Sequence, residues 1–389
     1  MKILFTNISD IQPIPPPEDL IRADANVSVP LALILKKRGH DVFFLCPKSS
    51  TIKVKKIFTS TNPFRSIISG NELYSIANPS LRTTMIMSLQ MDIYLRLIEA
   101  CRKEKFDLVH VHTNNPLAEL IVAKEVDTPF VFTVHGICLY PELESRLKKL
   151  FRKKENYFVS ISNYQRKSYP GLKFTKTIYN GLELARFPFS AKGGNNLLFT
   201  GRLKKTKGIG EAVEVVEKAQ KKLDIIGAFS MEELDRNYVQ DRIMEKVKRS
   251  EGKIKYHGTV KRSEVPSFYG RSKATVFPIQ WEEPFGLVMI ESMACGTPVV
   301  AFARGSVPEI VKDGQTGFIV NSSPKDVRGN WLIKKTGIAG MVEAVKRIYG
   351  MPKKDYLELR ENCRALVEEK FTAERMVSEY EKTYNEILI

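Results

Sequence analysis

The sequence predicts an α/β protein of two domains, each a parallel sheet flanked by helices. Three observations lead there. The chain has 389 residues, more than one hydrophobic core usually serves, so two domains of about 190 residues each are expected. Short, apolar, β-rich runs ending in turn residues recur along most of the chain, as strands buried on both faces do. Helix-period segments such as "GEAVEVVEKAQKK" and "LVMIESMAC" separate many of them. Alternating βα order gives parallel sheets, and two such series give two Rossmann-like domains.

The first series of expected strands is "KILFTNI", "DVFFLCP", "DLVHVHT", "PFVFTVHG", "YFVSIS" and "KTIYNG". The second is "NLLFTG", "LDIIG", "KIKYHG", "ATVFP", "PVVAF" and "GFIV". Gly193 and Gly194 interrupt the pattern near "FPFSAKGGNNLLF". The first domain is therefore placed at residues 1–188 and the second at 189–372. A closing helix at about 373–389 follows the second series, with packing back onto the first domain as one option. Residues 58–85 do not alternate cleanly and read as an insertion in the first domain. Residues 9–30 hold no glycine, and Pro15, Pro16 and Pro17 in a row read as a stiff, extended loop.

Hydrophobic content of 43% and charged content of 27% are those of a globular protein. No apolar stretch approaches the roughly 18 residues that a membrane helix needs, and the opening apolar run is too short for a signal peptide. Cys46, Cys101, Cys138, Cys295 and Cys363 are scattered, without zinc or redox spacing. They point to buried thiols and a cytoplasmic location; Cys138, close to a suspected site, is expected to fill space. Net charge is +17, a surface suited to phosphorylated substrates, anionic lipid or nucleic acid.

The stretch "EEPFGLVMIESMACGTPVV" begins at Glu282. A helix is expected from about Phe285 to Ala294, with Pro284 at its start, Gly296 closing it and Pro298 opening the next strand. The N–H groups of Phe285, Gly286, Leu287 and Val288 then form an anion-favouring helix mouth. Glu283 lies just outside it and Glu291 roughly 7–8 Å further along from Gly286. Each carboxylate is placed to hold a pair of sugar hydroxyls around a central diphosphate, though two glutamates by themselves read as a solvated pair on an amphipathic helix. The stretch "FTGRLKKTKGIGEA" shifts the balance: it sets Arg202 at a strand end and Lys207 at a helix start, where cations neutralise a leaving diphosphate. Its "GIG" is not a dinucleotide fingerprint, because Val213 stands where the third glycine would fall.

Together these residues resemble the retaining glycosyltransferases of family 4, whose fold, GT-B, sets two Rossmann-like domains facing across a cleft. "GRLKKTKG" (201–208), "EPFGLVMIE" (283–291, the E-x7-E spacing), "ACGTPVVA" (294–301), "GSVPEIVKDGQTGFIV" (305–320), "TVHG" (133–136) and "YNGLE" (179–183) carry the resemblance. It implies that Arg202 and Lys207 bind the diphosphate. Glu283 and the backbone of Phe285, Gly286 and Leu287 would hold the donor sugar, and Glu291 the ribose. His135 would face the reacting sugar, and the backbone of "YHGTV" (256–260) would cover the base, with His257 incidental. His110 reads as structural, while His112 is open between a structural and a functional role. Many family members have a glycine-rich loop where this chain has residues 9–30, so the acceptor side departs from the pattern.

The expected activity is a metal-independent, retaining transfer of a hexose from a nucleotide sugar, UDP-glucose first and GDP-mannose second. No cofactor is expected. The acceptor is open among lipid-linked, polysaccharide and small-molecule compounds. A helix at 143–156, with one core face and one basic face, reads as a core helix; contact with anionic membrane or a phosphorylated acceptor is the alternative. Two rival readings stand beside this one. A sugar phosphorylase or nucleotide-sugar epimerase would share the architecture, and Glu291 speaks against the former. A non-enzymatic anion or nucleic-acid binder would use the net charge, but no nucleic-acid module interleaves aromatics with the basic residues.

Overall fold

A computed structural model of the chain describes residues 1–7, 13–18, 23–59, 78–138, 142, 145–146, 149, 156–230 and 232–388. Most of the basic segment 143–156, much of the proline-containing segment 9–30 and residues 60–77 of the expected insertion lie outside the described residues.

The chain divides into two compact units, Met1–Gly181 with Ala373–Ile389, and Leu182–Thr372. The division falls at Gly181/Leu182 rather than at 188/189. The segment after Gly181 is tied to the end of the second unit, where Leu182 N–H donates to Phe371 O at 2.8 Å.

In the first unit the strands are β1 (Lys2–Asn7), β2 (Asp41–Cys46), β3 (Lys55–Phe58), β4 (Leu108–Thr113), β5 (Phe130–Val134), β6 (Asn156–Ser160) and β7 (Phe174–Thr177). They form one sheet in the order β3-β2-β1-β4-β5-β6-β7, and each pair of neighbours runs parallel. β3 was not expected; "KKIF" has a mostly exposed, lysine-rich pattern that suits an edge. β4 shows why the sheet is covered on both faces. Val109 and Val111 pack into one apolar cluster, with Ile93, Leu97 and Leu120. His110 and His112 point the other way, beside Phe5 and the closing helix Ala373–Leu388. That helix supplies Met376, Val377, Tyr380 and Tyr384 to the opposite cluster.

Two segments differ from the sequence expectation. Ala25–Lys37 is helical, with Pro30 inside it, so residues 25–30 are not loop: Ala25, Val27, Leu31, Ala32 and Leu35 bury a helical face that outweighs one proline. Pro79–Lys103 is a long helix, started by Asn78, whose side chain accepts from Ser80 N and Leu81 N.

In the second unit β8 (Asn196–Thr200), β9 (Leu223–Ile226), β10 (Ile254–Tyr256), β11 (Ser272–Phe277), β12 (Val299–Phe302) and β13 (Gly317–Val320) form a parallel sheet in the order β10-β9-β8-β11-β12-β13. Arg360, fully buried on helix Lys353–Lys370, fixes that helix to the sheet. Its guanidinium donates to the carbonyls of Ser190, Gly270, Ser272 and Cys295, which satisfies the donors of a desolvated charge. Both sheets reverse strand order beside their first strand, between β1 and β4 and between β8 and β11. In doubly wound sheets ligands bind outside the strand ends at such points.

Candidate active site

In the second unit two loops meet at the reversal point. The loop after β8 carries Arg202 to Lys207, and the loop after β11 carries Gln280 to Gly286. Gly208 lets them touch. Its φ is +80°, and a Cβ there would lie 2.0 Å from Pro278 O, so only glycine permits this approach. Gln280 N–H donates to Thr206 O at 2.9 Å. This contact brings Lys207 Nζ to 2.7 Å from Glu283 Oε2. Trp281 completes the group: its Nε1–H donates to the same oxygen at 3.1 Å, and Lys207 Nζ lies 4.7 Å from its ring centroid. Trp281 was not singled out from sequence, although it is one of only two tryptophans and adjoins the acidic pair.

Arg202 is exposed between Gly201 and buried Leu203, and among the described residues its side chain has no carboxylate partner. Helix Leu287–Ala294 starts two residues later than expected, because Gly286 caps it at φ +81°. A Cβ on Gly286 would lie 2.6 Å from Met289 Cε. Phe285 is instead buried, its ring at 6.1 Å from that of Phe371, and its carbonyl accepts from Ser306 Oγ. Leu287 and Val288 open the helix at a half-exposed position, and their N–H groups have no carbonyl a turn behind them.

Glu291 is half-buried on the same helix. Burial raises its carboxyl pKa above the ordinary value, and the charges of Arg262 and Arg186 and the Tyr269 hydroxyl oppose that shift. Tyr269 OH donates to Glu291 Oε2 at 3.1 Å. Arg186 and Arg262 line a cavity of about 180 Å³ with Phe187, Ser263 and Pro266; none of these was selected from sequence. The neighbour of Glu283, Glu282, has a different task. It accepts from Gly305 N, Arg304 Nη1 and Arg328 Nη1, which pins the "RGS" turn against the site. His257 Nε2 lies 2.7 Å from Asp224 Oδ1, so its ring is held by the sheet of its own unit.

In the first unit His135 follows β5 and is 8% exposed. Its Nε2 lies 2.9 Å from His112 Nδ1, and His112 Nε2 is buried without a partner among the described residues. Burial lowers the His135 pKa to about 4, with Asp24 pulling the other way, and holds His110 and His112 well below the ordinary range. All three are neutral at pH 7. His110 bridges Thr133 Oγ1 and Tyr384 OH at 2.7 and 2.6 Å, a structural role. Of the cysteines, Cys46, Cys295 and Cys363 are buried, and Cys101 and Cys138 are partly so.

Two family models match adjoining parts of the chain: "Glycosyltransferase Family 4" over residues 27–186 and "Glycosyl transferases group 1" over 183–329. A glycogen synthase of Mycobacterium tuberculosis is 26% identical over 344 residues, which is 77% of this chain and 78% of that protein. An N-acetyl-alpha-D-glucosaminyl L-malate synthase of Bacillus anthracis is 23% identical over 395 residues, 93% of each chain. Among solved structures, a sucrose-phosphate synthase of Thermosynechococcus elongatus superposes with a TM-score of 0.73 at 18% identity, covering 100% of this chain and 99% of that one. Anabaena HepE in complex with UDP and glucose gives 0.70 at 16%, covering 99% and 100%. The family models and the fold together define a glycosyltransferase of the GT-B class. Within that class the chain belongs to the family 4 type.

Among the described residues no helix is long and apolar enough to cross a membrane.

Proposed function

We propose that the enzyme transfers a hexose from a UDP-sugar, UDP-glucose before GDP-mannose, with retention of configuration and without a metal ion. The observation that carries this reading is the Lys207–Glu283 pair at the mouth of helix Leu287–Ala294, at the reversal point of the second sheet. The donor diphosphate would take the place of the Glu283 carboxylate on Lys207 and meet Arg202 and the N–H groups of Gly286, Leu287 and Val288. Glu283, released from that pair, would accept hydroxyls of the transferred sugar. Glu291, held by Tyr269, would accept the ribose hydroxyls, and the backbone of 256–260 would cover the base. His135 would act from the first unit on the reacting sugar as a neutral hydrogen-bonding group.

Chemically, the leaving nucleoside diphosphate gains charge as the glycosidic bond breaks. Fixed cations and helix-start N–H groups stabilise that charge without reorganising. The acceptor hydroxyl would then attack from the face the diphosphate leaves, passing its proton to the departing diphosphate oxygen, which gives retention. HepE was solved with UDP and with UDP-glucose, which supports a UDP-sugar donor. The test is to incubate the protein with UDP-glucose and, separately, GDP-mannose, and follow release of UDP or GDP and the anomeric configuration of the product by NMR, with and without EDTA. Faster release from UDP-glucose, an α-linked product and a rate unaffected by EDTA are expected. A β-linked product, or a rate abolished by EDTA and restored by Mg²⁺, overturns the mechanism.

A further inference from the structure

The first unit contains a cavity of about 290 Å³ at the end of β4, lined by Gln90, Tyr94, Thr113, Asn114, Asn115, Ala118 and Glu119. It lies between helices Pro79–Lys103 and Leu117–Ala123, and none of its residues belongs to the site described above. At its wall is an acid with unspent hydrogen-bonding capacity. Glu119 is 3% exposed. Its Oε1 accepts from Thr113 Oγ1 at 2.8 Å, but its Oε2 is buried with no partner among the described residues. A buried polar atom is normally paired, so an unpaired one beside an open cavity marks a place for a ligand atom. Leu117–Ala123 is short, so the argument rests on the cavity and the orphaned oxygen and not on the helix start.

The lining says what that ligand is. Three amides, two hydroxyls and one carboxyl supply donors and acceptors in about equal measure, and Tyr94 adds an aromatic ring. Among the described residues no lysine or arginine lines the cavity, which disfavours phosphate in a chain otherwise rich in cations. Its volume is at the lower end for small-molecule sites, about 300–1,000 Å³, enough for one ring and too small for a nucleotide. Burial raises the Glu119 carboxyl to about 7, so near neutral pH it can donate as well as accept.

We propose that this cavity binds an uncharged, polyhydroxylated ring, a single sugar residue, whose hydroxyl donates to Glu119 Oε2. The role of that sugar as acceptor rests on the proposed function; the binding itself does not.

The experiment is ligand-observed NMR on the full chain with glucose, galactose, N-acetylglucosamine and myo-inositol at high millimolar concentration. Glucose 6-phosphate and inorganic phosphate serve as charged comparisons, and UDP is titrated in parallel. At least one neutral compound should bind wild type, and phosphate should not compete. Glu119→Ala should weaken that binding about tenfold or more, and Ala118→Trp, which fills the cavity, should abolish it. UDP affinity should stay within about threefold in both variants. Asn114→Ala, at an exposed position on the rim, should weaken sugar binding even where a buried variant loses its fold. The proposal is overturned if no neutral compound binds, if wild type and variants bind it alike, or if phosphate competes. Failure of wild type to bind UDP would count instead against the donor reading and leave the cavity result standing.

Discussion

Lys207 and Glu283 meet at 2.7 Å across two loops, one following β8 and the other β11. The cation is thus held in place before any ligand arrives, and its partner is also the carboxylate assigned to the donor sugar. Binding a diphosphate would exchange one anion for another on Lys207, which favours a doubly charged group over a singly charged one.

Lys207→Ala should therefore weaken UDP binding by roughly 10- to 100-fold, the value of a charged hydrogen bond or two, while UMP binding changes far less. Arg202→Ala should act in the same direction. Both should lower turnover by roughly 10²-fold or more. Calorimetric titration with UDP and UMP tests this; equal losses for the two nucleotides would place the cation elsewhere than at the diphosphate.

Glu291→Ala should reduce UDP affinity by about 1.5–3 kcal/mol per lost hydrogen bond. A 2′,3′-dideoxy analogue should bind wild type and variant alike. Tyr269→Phe removes the hydroxyl that orients the carboxylate and should give a smaller loss in the same assay. Unchanged UDP affinity in Glu291→Ala would remove the ribose assignment.

His135→Ala should leave UDP affinity within about threefold and lower turnover by roughly 10²-fold or more. The pKa near 4 means that this ring stays neutral across the working range, so the pH–rate profile of wild type should show no step at pH 6–7 from His135. A step in wild type that disappears in the variant would show that the ring titrates.

Stability should carry two opposite pH signatures from the first unit. The folded-state pKa of Glu119 is raised, to about 7. Its contribution is present below the unfolded value of about 4.3 and is lost as pH rises through about 7. Glu119→Gln should therefore gain stability relative to wild type over that window. The folded-state pKa of His135 is depressed. Its contribution is present above about 6.5 and lost as pH falls through about 4, so His135→Gln should flatten the acid limb. Urea unfolding at a series of pH values measures both, and parallel curves for variants and wild type would refute the assignments.

Tyr384→Phe should destabilise the protein by about 1–3 kcal/mol, because it leaves buried His110 Nδ1 without its partner at 2.6 Å. Thermal unfolding of the variant provides the measurement, with activity per folded molecule unchanged.

The sheets were legible because their strands are continuous apolar runs. β3 was not, since "KKIF" buries little and leaves no apolar pattern to see. The N-terminal part of helix Ala25–Lys37 was obscured by Pro30 and by the prolines before it; its buried face decides the matter only once the sheet is there to pack against. Within the site, Lys207 and Glu283 could be named from their motifs, but not their pairing. That depends on Gly208 admitting Pro278 O, a contact between positions far apart in sequence. Trp281, Tyr269, Arg186, Arg262 and Glu119 likewise owe their places to folding.

The closing helix also bears on the order in which the protein is made. Tyr380 and Tyr384 reach Thr133 and His110 from the far end of the chain, while Leu182–Thr372 is contiguous. A chain emerging from the ribosome has every residue of the second unit before the last helix of the first is synthesised. The unit that begins first is thus the one completed last, and until then β4 exposes the histidine face that the helix will cover.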